Sequence, residues 1–90
     1  MAVTHSIVSV GTTATVISTA ANDRDGHAVC VQNPSASTTV YIGGTGVTTT
    51  DYGVALAGGA DISIDLLQGE ILYGIVAVST QNVNVLRAGN

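Results

Sequence analysis

The chain contains no lysine, no phenylalanine and no tryptophan, and in 90 residues it has one cysteine and one proline. Each absence closes off a function or a means of stabilisation. Arg24 and Arg87 stand alone against six acidic residues, for a net charge of −4. Contacts that neutralise phosphates dominate nucleic-acid affinity, so this balance argues against DNA or RNA as a partner. An anionic membrane surface repels it for the same reason. The longest apolar run, Ile71–Val78, has eight residues and includes Gly74, whereas a membrane-spanning helix needs about 20. The first residues, MAVTHSIVSVG, lack a basic n-region and are too rich in hydroxyls for a signal-peptide core. With a single cysteine, the expectation is a protein made and assembled in a cytoplasm.

The missing aromatics bear on stability. The core has to come from thirteen valines, seven isoleucines and a few leucines, without the large contact areas of Phe and Trp. A domain of this size buries only somewhat more than roughly 60% of its unfolded surface. One cysteine forms no internal disulfide, and no metal or cofactor signature supplies another brace. The remaining route at this size is association, which predicts a homo-oligomer, docking on a larger body, or both.

Strand grammar fills the sequence. In Ala60–Leu66, Ala60, Ile62, Ile64 and Leu66 share one face while Asp61, Ser63 and Asp65 share the other. This alternation is that of a half-buried strand. Thr39–Ile42 repeats it, with Val40 and Ile42 inward and Tyr41 outward. Ala28–Val31 and Ile71–Val78 are continuous apolar runs, which suggest strands covered on both faces or lying at a subunit contact. Val3–Val10, Thr13–Thr19 and Val83–Arg87 complete the set. Gly11, Asn22–Gly26, Asn33–Ser37, Gly43–Gly46, Gly58–Gly59, Gln68–Gly69 and Ser79–Asn82 punctuate it. Seven or eight short strands predict an all-β domain spanning residues 1–90, a small antiparallel β-sandwich or barrel. Residues 1–12 read as an arm or an edge strand. No useful window carries a helical period; a single turn at Ala20–Asp23 is the most expected. Natural sheet edges are often guarded by lysine or inward-pointing charge. With no lysine here, a neighbouring chain is expected to cover an edge or a face unless Asp61 or Asp65 guards it.

Few residues support chemistry. Asp23-Arg24-Asp25-Gly26 resembles the start of a calcium loop, but Ala21 and Gln32 occupy places that need ligands. A solvated turn is the better reading. Gly43-Gly44-Thr45-Gly46 lacks the lysine of a P-loop, and the β-branched run Val47–Thr50 is a poor helix start for a dinucleotide site. Cys30 sits mid-strand, where a buried, inert thiol is expected rather than a reactive one. His5 and His27 lie on separate segments. Asp61 and Asp65 are about 13 Å apart along a strand, too far for a paired-carboxylate site. The chain therefore reads as non-enzymatic, with no cofactor and no metal. Tyr41, Tyr52 and Tyr73 are its only aromatics, and tyrosine is enriched at interfaces. Tyr41 is expected on the outside of its sheet, as an interface residue or an ordinary surface tyrosine. Tyr41, Tyr52 and Arg87 are the candidate interaction residues.

One ordered series remains: Val31-Gln32-Asn33-Pro34, Thr39-Val40-Tyr41-Ile42-Gly43-Gly44, Val47-Thr48, Gly69-Glu70-Ile71-Leu72-Tyr73-Gly74 and Val83-Asn84-Val85-Leu86. It resembles small virion structural proteins of tailed bacteriophages, especially those of actinobacterial hosts. The resemblance covers about Ala28 to Gly89, roughly two thirds of the chain. It implies a β-module on the capsid surface of the virion, most like a capsid decoration (cement) protein. Its partner would be the major capsid protein, and a homo-oligomer, with a trimer favoured, would bridge capsid subunits. The resemblance equally admits a tail or fibre module that contacts the host surface.

Overall fold

The computed structural model describes residues 3–19, 27–67 and 69–88, with His27 described by its backbone alone. Eight strands form within them: β1 (Thr4–Val10), β2 (Thr15–Thr19), β3 (His27–Gln32), β4 (Val40–Gly43), β5 (Val54–Leu56), β6 (Asp61–Leu66), β7 (Ile71–Val76) and β8 (Gln81–Ala88). They build two four-stranded antiparallel sheets, sheet A in the order β1-β8-β3-β6 and sheet B in the order β2-β7-β4-β5. Val10, Val29, Val31, Leu66, Val83 and Val85 of sheet A pack against Ile17, Val40, Ile42, Leu56, Leu72 and Val76 of sheet B. The fold is a β-sandwich, with no helix among the described residues. The possible turn at Ala20–Asp23 and the calcium-like segment lie outside those residues.

β-Branched side chains bring each strand about, since they pack well on a pleated surface. The alternation expected at Ala60–Leu66 holds except at Ile64: Asp61, Ser63 and Asp65 are exposed, Ala60 and Ile62 are half-buried and Leu66 is buried, whereas Ile64 is left 39% exposed. Val40 and Ile42 face the core as expected. The two continuous apolar runs become central strands, β3 in sheet A and β7 in sheet B. In β2 the pairing with β7 shifts between Val16 and Ser18, and this bulge lets Ile17 and Ser18 both turn inward.

The inward turn of Ile17 explains Gly74. A Cβ on Gly74 would come within 2.6 Å of Ile17 Cδ1, so the β7 backbone leaves the space that Ile17 fills. β5 is the strand that sequence patterning misses. Its three residues, between Gly53 and Gly58, are too few to show an alternation.

The two flanks of the sandwich differ. Where β1 meets β2, Val76 N donates to Gly11 O at 3.0 Å. Arg87 reaches across the same flank from β8: its Nε donates to Ser18 Oγ at 2.8 Å, one terminal nitrogen to Ser6 Oγ at 3.0 Å and the other to Ile17 O at 3.0 Å. The opposite flank, between β5 and β6, stays open as an apolar groove of about 250 Å³ lined by Ile42, Val54, Ile62, Ile64, Leu66 and Leu72.

Candidate interaction surfaces

Residues opposite each other in an antiparallel ladder point to the same face. Tyr41 lies opposite Ile75 and Ala55, and Tyr73 lies opposite Gly43 and Val16. These residues therefore share the outer face of sheet B. Tyr52 joins them from the β4–β5 loop, with its ring 4.7 Å from that of Tyr41, tilted at 46°. All three tyrosines of the chain thus meet on one surface. Ile75 sits among them only 8% exposed and outside the core cluster. Val16 and Tyr52 remain open, at 47% and 44% exposure. Among the described residues no charged side chain lies on this face; Asp51, beside Tyr52 in the loop, is at its rim.

The loop from Gly44 to Gly53 sets the position of Tyr52. Gly53 N donates to Ile42 O at 2.8 Å and closes the loop on β4, while Thr48 N donates to Asp51 O at 2.8 Å. Thr48 Oγ1 accepts from Asp51 N at 2.9 Å. Val47 is buried beneath. Gly46, at φ +87°, takes the left-handed conformation that few other residues adopt. Val47 N donates to Gly44 O at 3.1 Å, which makes a tight turn at the start of the loop, and Tyr52 stands at the loop's far end.

Sheet A presents a wetter outer face. The rows His5–Leu86–Cys30–Ser63 and Ile7–Asn84–Gln32–Asp61 run across it. Asn84 Nδ2 donates to Gln32 Oε1 at 3.1 Å. Cys30, expected to be buried, is only half-buried, because its place in β3 turns it to this outer face rather than to the core; β8 lies between it and His5. Asp61 and Asp65 line the same face of the edge strand β6. Among the described residues, no group of three or more His, Cys, Asp or Glu side chains could hold a metal ion.

The structure brings Tyr41 and Tyr52 together and places Arg87 elsewhere, half-buried between the sheets with all three of its donating nitrogens engaged within the chain. Tyr73, Ile75 and Val16, which no site expectation included, complete the tyrosine face. The two-residue offset of Tyr73 from Ile75 was the signal available for them, once β7 and β4 are paired. Comparison with family models, with curated proteins and with solved structures finds no match to this chain.

Proposed function

We propose that this chain is a non-enzymatic virion structural protein of a tailed bacteriophage, a capsid decoration protein that binds the assembled shell and stabilises it. The observation that carries this reading is the outer face of sheet B, where Val16, Tyr41, Tyr52, Tyr73 and Ile75 gather with no charged side chain among the described residues. Depletion of charge together with tyrosine enrichment characterises the centre of a protein interface. A contiguous apolar patch on a small protein marks a docking surface. The resemblance of the Ala28–Gly89 segment to virion proteins supplies the partner class, the major capsid protein. Binding is thermodynamic in effect: a module that contacts neighbouring capsid subunits adds its binding free energy to the cost of separating them.

The test uses particles assembled without this protein, to which purified protein is added back. Saturable binding at many copies per particle, with a higher temperature of shell disruption, is expected. A handful of copies per virion by quantitative mass spectrometry, with labelled protein attaching to host cells, would overturn it in favour of the tail or fibre reading. Tyr73→Glu places a charge in the centre of the face and is expected to weaken binding by about 30-fold or more while the isolated chain stays folded.

A further inference from the structure

We infer that copies of this chain join edge to edge, with β1 of one copy pairing antiparallel to β6 of the next so that sheet A runs on from copy to copy. This inference rests on the backbone of sheet A and is independent of what the tyrosine face binds.

β1 and β6 are the two edges of sheet A. Which residues turn their backbone groups outward follows from the ladder. Asn33 N donates to Ala60 O at 2.9 Å, one pair beyond Gln32–Asp61 in the β3–β6 register. Hydrogen-bonded pairs alternate with non-bonded ones along an antiparallel ladder. The even-numbered residues of β6 therefore bond to β3, and Asp61, Ser63 and Asp65 direct their N–H and C=O groups to the open edge. The same alternation carried through the β3–β8 and β8–β1 registers leaves His5, Ile7 and Ser9 directed outward from β1. Among the described residues, no hydrogen bond reaches these six outward sets of backbone groups.

The two edges fit in one register. Pairing His5 with Asp65, Ile7 with Ser63 and Ser9 with Asp61 matches every residue of β6 to a residue of β1. Each of these three pairs exchanges two backbone bonds. The side chains agree with the backbone. On the inner face Ser6 comes beside Ile64 and Val8 beside Ile62, which continues the core side of the sheet. On the outer face Ile7, 67% exposed in the single chain, gains a neighbour. His5, the one β1 side chain able to carry positive charge, stands opposite a carboxylate, where a cross-strand pair of opposite charge is favourable.

Self-pairing of β6 would set Asp61 against Asp65 twice, and like charges directly opposite are unfavourable. Self-pairing of β1 would set Ile7 against Ile7 but leave β6 open. Only the β1–β6 pairing uses both edges. Neither strand carries lysine, proline or a bulge that would block it. Because the joined surfaces differ, the contact is heterologous and closes into a ring when the rotation between copies allows.

The test begins with the purified wild-type protein in light scattering and native mass spectrometry, where a discrete oligomer of identical copies is expected. Ile7→Pro and Ser63→Pro each remove an outward N–H at an edge, where proline is tolerated, and each is expected to give a monomer with an unchanged circular dichroism spectrum. A cross-link covers the case in which a proline variant fails to fold. Ile7→Cys and Ser63→Cys chains, both in a Cys30→Ser background, are mixed and oxidised. A hydrogen-bonded pair has a Cα separation of about 5.5 Å, within disulfide reach. Disulfide formation between the two different chains is expected. A wild-type monomer up to its solubility limit overturns the inference. So does an oligomer that survives Ser63→Pro, or one in which Ile7→Cys links only to itself.

Discussion

Sheet A mixes polar side chains with the exposed Ile7 and Leu86 on its outer face and leaves two full-length strands, β1 and β6, at its edges, whereas sheet B gathers tyrosines on its face and keeps its edges guarded. The outer face of sheet B carries three tyrosines and, among the described residues, no charge, and its edges are a bulged strand, β2, and a three-residue strand, β5. Bulges and shortness are both known ways to stop an edge from pairing. One sheet thus keeps its backbone groups guarded and exposes an adhesive face, while the other keeps a wet face and exposes adhesive edges. Two kinds of contact, side-chain docking and strand pairing, have separate locations in a 90-residue chain and do not compete for the same surface.

The largest effect is expected where the two sheets are tied together. Arg87→Ala removes three hydrogen bonds that cross the β1–β2 flank. The loss is expected to cost about 3 kcal/mol, since bonds to a charged group are worth roughly 1.5–3 kcal/mol each and do not simply add. Chemical denaturation would measure it, and a cost below about 1 kcal/mol would mean that the flank holds without the tie.

Next in size is the docking face. Tyr73→Glu is expected to weaken binding to particles by 30-fold or more, about 2 kcal/mol, the scale of an interface hot spot. The same substitution on the isolated chain should change stability by no more than about 1 kcal/mol. Equal losses in binding and in stability would merge the face with the core and undo the contrast.

The open and closed parts of sheet A give a smaller contrast. Val29 and Ile64 are partners in the β3–β6 ladder. Val29 is fully buried, whereas Ile64 is 39% exposed at the groove. In the isolated chain Val29→Ala is expected to cost about 2 kcal/mol and Ile64→Ala about 1 kcal/mol, by lost burial. Thermal melts of the two variants at a concentration where the chain is monomeric would check the order. Smallest of all, Asp61→Asn on the wet face should move the isolated chain's stability by no more than about 0.5 kcal/mol.

Much of this architecture is legible in the residues because its period is short. Ala60–Leu66 and Thr39–Ile42 announce their inner faces, and glycine-marked turns bound them. Val54–Leu56 stays hidden, since three residues cannot establish a period and its place beside β4 depends on a loop closed by Gly53. Val47, in a run of β-branched residues that looks like strand, is instead buried under that loop. The tyrosines follow the same logic. The outward direction of Tyr41 can be read locally, but its meeting with Tyr52 and Tyr73 depends on pairings distant in sequence. Arg87 shows the opposite limit. A lone arginine near the end of a polar-apolar strand looks like a surface residue until the inward turn of Ser18, produced by a bulge on another strand, supplies its partner.

The order of the strands has a consequence for how the molecule comes into being. The chain changes sheet at six of its seven connections, and only β4 and β5 are neighbours both in sequence and in a ladder. No contiguous stretch of the polypeptide can therefore assemble either sheet by itself. Each ladder waits for a segment that arrives later, and the last strand, β8, closes sheet A by inserting between β1 and β3. Such distant pairings bear the loop-closure entropy before any contact rewards it, which makes folding slow for a chain of this length and nearly all-or-none. A nascent copy holds its apolar strands open until β8 appears, and no smaller fragment of these eight strands is expected to stand alone as a folded unit.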